Sequence, residues 1–243
     1  MIDIDVLAIG AHPDDVEMSA GGTIAKLVRE GKRVAVVDCT RGEMGTRGTA
    51  TQRDGEAQRA SEILGIHARE NLNMQDGNIE QSEENIRKVI SVLRKYRPAI
   101  VIMPPEHERH PDHEAVHRLC RTAYFQSGLT KVETHDSGTE QKPHRPKHMF
   151  CYMQSYHFEP QFFVDITETQ EVKIQSVLAF STQVHVPGTT SSNEPETFIS
   201  RPGFMELLEV RARYFGEQIG VRYAEGFTAV KPIGVHSMSV WLE

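Results

Sequence analysis

Over its first hundred residues the chain alternates short, unbroken apolar runs with longer stretches of helical periodicity, and this constrains its fold more than any other feature. Residues 6–10 (Val-Leu-Ala-Ile-Gly), 33–38 (Arg-Val-Ala-Val-Val-Asp) and 99–103 (Ala-Ile-Val-Ile-Met) place apolar side chains at consecutive positions. A strand wetted on one face alternates apolar and polar residues; one that is apolar throughout is covered on both faces, as in parallel sheets. A weaker third strand falls around residues 71–74. Between these runs the spacing predicts a helix over 21–30, with Ile24, Leu27 and Val28 on one face and Gly31 as its stop. Asp54 is placed to cap a helix running to Leu64 and stopped by Gly65. Ile86, Val89, Ile90 and Leu93 mark a further helix, with Pro98 just beyond it. Strands and helices in this order make βαβ units. Right-handed crossovers then give an α/β fold, a Rossmann-like doubly wound, mostly parallel sheet ordered 3-2-1-4.

The pattern changes at about residue 148. Residues 149–153 and 162–165 read as further strands, and Thr167 with Gln170 fits a capping box opening a helix to about Phe180. Residues 187–195, rich in Pro, Gly, Thr and Ser, read as an exposed loop. A last helix is expected over 203–217, followed by a β-like tail. No linker or repeat interrupts the chain. We therefore expect one domain over 1–243, with a Rossmann-like core in 1–125 and C-terminal additions from about 148.

Charge and composition exclude some functions. A net charge of −7 argues against wholesale binding of nucleic acid, which needs a concentrated basic surface. No apolar run approaches the length of a membrane span, and no signal peptide precedes the first strand, so no membrane partner is expected. Cys39, Cys120 and Cys151 are far apart and odd in number, which suggests reduced thiols in a cytoplasmic protein.

Two clusters carry the chemistry. Ala11-His12-Pro13-Asp14-Asp15-Val16-Glu17 directly follows the first strand, and His110-Pro111-Asp112-His113 lies a few residues beyond the fourth. Either tetrapeptide alone reads as a turn, because Pro and Asp favour turns and Asp caps helices. In a 3-2-1-4 sheet, however, strands 1 and 4 are neighbours whose carboxyl ends flank the ligand-binding crevice, so the two clusters converge. His12, Asp15 and His113 can supply a two-histidine, one-carboxylate set for a catalytic zinc with a fourth position open to water. Manganese or iron(II) would accept the same donors. Asp14 can then serve as general base. His110 can stabilise an oxyanion or protonate a leaving amine, with Asp112 orienting it. Arg53, on a Gly-, Thr- and Arg-rich segment after the second strand, can hold a substrate by forked hydrogen bonds, and Arg109 is a weaker candidate for the same task. Gly21-Gly22 lacks the spacing of a dinucleotide loop.

These motifs, with Gly21-Gly22-Thr23, resemble those of the LmbE-like (PIG-L) zinc N-deacetylases over at least the first 125 residues. Within that family the chain looks most like the bacillithiol-biosynthesis deacetylases of bacilli. The resemblance implies one Zn2+ per chain on His12, Asp15 and His113, with Asp14 as base. It implies that His110 is the oxyanion-stabilising residue or acid with Asp112 behind it, and that Arg53 binds substrate. It further implies removal of acetyl from an N-acetylglucosaminyl compound, either N-acetylglucosaminyl malate or N-acetylglucosamine and chitooligosaccharides. Relatives often form homo-oligomers, hexamers among them. One departure stands out: a tyrosine that mycothiol-pathway relatives carry two positions before the first His of the second motif is replaced by Glu108. A metal-dependent amidohydrolase or phosphoesterase acting on a non-sugar substrate is the alternative, and a non-catalytic binding module is a third reading.

Overall fold

The computed structural model describes residues 3–186 and 195–242. Its first half runs β1 (Val6–Gly10), α1 (Asp15–Arg29), β2 (Val34–Asp38), α2 (Ala50–Leu64), β3 (Ala68–Asn71), α3 (Glu83–Tyr96), β4 (Ile100–Met103) and α4 (Pro111–Ser127). A small hairpin, β5 (His135–Asp136) and β6 (Thr139–Glu140), leads to β7 (His148–Tyr152), β8 (Phe162–Asp165), α5 (Gln170–Leu178), α6 (Phe204–Ile219) and β9 (Ala224–Ala229), with a short 3₁₀ turn at Met238–Trp241.

The fold is mixed α/β around a seven-stranded, mostly parallel sheet ordered β3-β2-β1-β4-β7-β9-β8. The expected 3-2-1-4 order is its first four strands. β7 continues the parallel run beside β4, while β9 and β8 add antiparallel pairs at the far edge. The unbroken apolar strands follow from burial on both faces. Leu7 and Ile9 point into a core shared with Ile90 and Leu93 of α3 and Leu119 of α4, whereas Val6 and Ala8 face Val16 and Ile24 of α1. Among the described residues no helix is long and apolar enough to cross a membrane.

Several boundaries differ from the sequence expectation, each for a local reason. α1 begins at Asp15, not at residue 21, and its early turns are buried although they read as polar or small. Gly22 explains part of this: a Cβ there would lie 2.7 Å from Ile166, so the helix approaches that residue closely only as glycine. Thr49, not Asp54, caps α2, in a reciprocal capping box with Gln52; Asp54 instead pairs with Arg41. β3 starts at Ala68, ahead of the expected 71–74. Thr169, not Thr167, precedes α5, and its hydroxyl donates to the Gly22 carbonyl at 2.8 Å. Nearly all of the expected 187–195 loop lies outside the described residues.

Candidate active site

β1 and β4 are paired neighbours, with Leu7 opposite Val101, so the segments leaving their carboxyl ends meet. His12 follows β1 by two residues, and Asp15 opens α1. His110 caps α4, Pro111 occupies the first turn where no amide hydrogen is needed, and His113 stands one residue past Asp112. The two motifs, almost a hundred residues apart in sequence, thus face each other across the sheet's switch point. The ring centroids of His12 lie 4.7 Å from His110 and 5.4 Å from His113, and those of His110 and His113 are 5.2 Å apart. Asp15 bridges the motifs, with one oxygen 3.6 Å from His12 Nδ1 and the other 3.3 Å from His113 Nε2.

Asp14 occupies an unusual backbone position, φ 112°, a left-handed value that favours glycine and costs on the order of 1–3 kcal/mol for a side-chain-bearing residue. Its carboxylate is buried and lies 3.2 Å from the Arg53 guanidinium. Arg53 is only 5% exposed and also donates to the Pro13 carbonyl (2.7 Å) and the Gly42 carbonyl (3.1 Å). The structure therefore sets Arg53 beneath Asp14, at the wall of the site with most of its donors engaged. Arg109 is exposed; its guanidinium lies 4.6 Å over the Phe198 ring at the cavity rim.

The Asp112 carboxylate faces His12 rather than His110, which corrects the expectation from sequence. It accepts from the Gly77 and Ile79 amides (2.8 and 3.4 Å) and lies 3.3 Å from His12 Nε2. Contact with His110 runs instead through the main chain, as the Asp112 N–H donates to His110 Nδ1 at 3.2 Å. That bond requires a lone pair on Nδ1, so neutral His110 carries its proton on Nε2.

Three further residues enter the site without a signal in the motifs. Asp76, after β3, places Oδ1 3.0 Å from His12 Nε2. Gln154, after β7, donates to Asp15 Oδ1. Arg211 of α6 lines the cavity and donates to the carbonyls of Gln154 and Met18. The first two follow strands at the carboxyl edge of the sheet, and that topological rule could have nominated them. Arg211 could not have been found this way. Glu108 does not replace the missing tyrosine. It is buried, accepts from the Ser155 and Tyr156 amides (2.5 and 3.1 Å), and pins the segment that carries Gln154. His117 and His144 bond to the carbonyls of Pro104 and Pro98, while His107 pairs with Glu114 and His157 with Glu159 at the surface. The three cysteines are free and buried.

The electrostatics fit a cation. Burial opposes charge on His12, yet the carboxylates of Asp112, Asp15 and Asp76 outweigh it and raise the imidazole well above its ordinary value. Burial likewise opposes ionisation of Asp15, but His113 and His12 hold it well below the usual carboxylate range. Burial pushes Asp14 up to about 8, with Arg53 opposing and Asp15 reinforcing the shift. His110 is lowered by burial and by its two histidine neighbours, so it is neutral at pH 7. A proton on His12 thus holds together a carboxylate-rich centre where a divalent ion could take over its charge. The imidazole and carboxylate donors suit zinc, manganese or iron(II). Among the described residues, the ligand atoms of His12, His110 and His113, and those of His12, Asp76 and Asp112, lie within 4.8 Å of one another. Asp15 stands beside the first set, 3.3 Å from His113 Nε2. Above this centre opens a cavity of about 300 Å³, walled on the C-terminal side by Phe198, Phe204 and Arg211.

The comparisons with known proteins agree with this reading. The PIG-L family, described as GlcNAc-PI de-N-acetylase, matches residues 7–124. Diacetylchitobiose deacetylase of Thermococcus kodakarensis is 33% identical over 241 residues, covering 95% of this chain and 85% of that protein. The structure of a conserved protein, TT1542, from Thermus thermophilus superposes with a TM-score of 0.84 at 35% identity, covering 97% of this chain and 99% of that one. N,N'-diacetylchitobiose deacetylase from Pyrococcus horikoshii superposes with a TM-score of 0.76 at 28% identity, over 93% and 83%. Fold, site and relatives define a hydrolase of N-acetyl amide bonds. The chain belongs to the PIG-L (LmbE-like) family of de-N-acetylases.

Proposed function

We propose that the chain removes the acetyl group from an N-acetylglucosaminyl compound, using one zinc ion held by His12, Asp15 and His113. The observation that carries this reading is the bridging Asp15, within 3.3 Å of His113 and 3.6 Å of His12 at the floor of the cavity. Bound there, the ion would supply Lewis acidity, polarising the acetamide carbonyl and lowering the pKa of a nearby water to about 7.

The chain's own groups do the rest. Asp14 accepts a proton as the water oxygen adds to the acetamide carbon. A carboxylate fixed beside the reacting water can both take and return that proton. Arg53 holds the Asp14 carboxylate in place. His110, neutral with its proton on Nε2, donates a hydrogen bond to the developing oxyanion, and the Asp112 amide keeps it in that tautomer. As the carbon–nitrogen bond breaks, the proton held by Asp14 passes to the nitrogen, releasing free amine and acetate.

The substrate has two candidate forms. The relatives named as diacetylchitobiose deacetylases, each matched over more than nine-tenths of this chain, support N-acetylglucosamine and chitooligosaccharides. Arg109 and Arg211 line the cavity and form no direct ion pair among the described residues, although Glu225 and Glu108 lie near enough to Arg211 to act on its charge. They favour an anionic aglycone such as that of N-acetylglucosaminyl malate. A homo-oligomer belongs to the same proposal, since α6 exposes Leu207, Val210 and Tyr214 on one face, and a second copy can cover them. A cytoplasmic location is supported by the three free thiols.

The test is an acetate-release assay on this substrate panel, with chelation and zinc restoration. Chelation should abolish release and zinc should restore it. Zinc-loaded protein that cleaves none of the sugars would return the reaction to the non-sugar amidohydrolase or phosphoesterase reading.

A further inference from the structure

Asp76 lies in a segment that the motifs do not mark, yet its two oxygens join the first-motif histidine to the loop after β2. Its Oδ1 lies 3.0 Å from His12 Nε2. Its Oδ2 accepts the Met44 amide at 2.7 Å, and its own amide donates to Glu43 Oε1 at 3.1 Å. Glu43 and Met44 therefore dock on Asp76 through a reciprocal pair of bonds, and Met44 with the following Gly45 and Thr46 forms part of the cavity wall. Apolar packing contributes little to holding Met44, which is 74% exposed. We propose that Asp76 is a positioning residue that sets the metal ligand His12 with one oxygen and the substrate-facing 43–46 segment with the other.

The geometry also assigns the two nitrogens of His12. Nε2 faces the carboxylates of Asp76 and Asp112, at 3.0 and 3.3 Å, and so carries the hydrogen. Nδ1, on the side of Asp15, is left for the ion. A carboxylate behind a metal-ligating imidazole fixes ring and tautomer, and its loss commonly weakens metal binding about 10–100-fold. Asp112 shares the first task but not the second: its remaining contacts run to Gly77 and Ile79, not to residues 43–46. The two carboxylates can therefore be separated by experiment.

The inference rests on the ligand set proposed above, but its readouts are zinc affinity and amide exchange, so it stands or falls independently of acetate release. Asp76→Ala should keep one zinc per chain, weaken its Kd by roughly 10–100-fold, and speed hydrogen exchange at the Met44 amide in the metal-free protein. Asp76→Asn, which retains an acceptor oxygen, should show smaller changes of the same sign, and it carries the test should Asp76→Ala fail to fold. Asp112→Asn should weaken zinc without moving Met44 exchange. Unchanged zinc affinity or unchanged Met44 exchange in the folded Asp76 variants would overturn the proposal. It would also be overturned if Asp76→Ala lost zinc entirely while His113→Ala retained it, because the ion would then sit on the Nε2 side.

Discussion

The two halves of the sheet contribute differently to the same cavity. The β3-β2-β1-β4 half is purely parallel, and the segments leaving its strands supply His12, Asp14, Asp15, Asp76, His110 and His113. The family match, residues 7–124, ends at the close of this half. The β7-β9-β8 half turns antiparallel and, with the segments around it, supplies Gln154 beside Asp15 and Phe198, Phe204 and Arg211 at the cavity wall. One half thus holds the groups suited to bond breaking and the other holds groups suited to choosing what is broken. The difference follows from topology. Parallel strands all release their loops at one edge, where ligands collect, whereas an antiparallel strand alternates edges and contributes a wall.

Substitutions on each side should separate these roles. The largest effect is expected at Asp14. Asp14→Asn tolerates the left-handed backbone and should retain zinc, while kcat falls by about 10²–10⁴-fold, the usual contribution of a positioned base. Steady-state kinetics beside metal analysis checks this, and near-normal turnover would remove Asp14 as base. Next comes the support of the chemical half. Arg69, partly buried, lies between the buried carboxylates of Glu17 (2.5 Å) and Asp38 (2.7 Å), tying α1 to β2 and β3. Arg69→Met leaves two buried carboxylates without their cation and should cost about 3–5 kcal/mol in chemical denaturation.

Arg211 tests the wall. Arg211→Met should raise KM about 10–100-fold for an anionic substrate, the value of a charged hydrogen bond of about 1.5–3 kcal/mol, with kcat little changed. A fall in kcat at constant KM would place Arg211 with the chemistry and blur the comparison. The smallest effect lies at the seam between the halves. His117 of α4 lies beside Cys151 of β7, and His144 leads into β7; burial lowers the pKa of both. Each unfolded imidazole takes up a proton near pH 6.5, before its folded counterpart does. Their stability contribution is therefore complete above that pH and declines as pH falls toward the folded values. Melting temperature should drop from pH 7 to pH 5, less steeply in a His117→Gln/His144→Gln variant.

Much of the parallel half was legible in the sequence, because burial on both faces writes itself as unbroken apolar runs and short βα connections bring motifs to one edge. The position of His12, Asp14 and Asp15 after β1, and of His110 and His113 after β4, follows from that rule alone. The start of α1 was hidden because Glu17 is buried by pairing with Arg69 and Gly22 by close approach to Ile166, and neither contact leaves an apolar stripe. The partner of Asp112 is not legible from sequence: proximity points to His110, while the Gly77 and Ile79 amides turn its carboxylate toward His12. Arg211 was illegible: it reaches the cavity from the middle of α6, whose placement depends on tertiary packing rather than on a local motif.

The most direct test is an anomalous difference map at the zinc edge from zinc-loaded crystals. One peak per chain is expected, bound by His12 Nδ1, Asp15 and His113, with Asp14 close by but outside the coordination sphere. A peak between Asp76 and Asp112 on the Nε2 side of His12, or two peaks per chain, would contradict it.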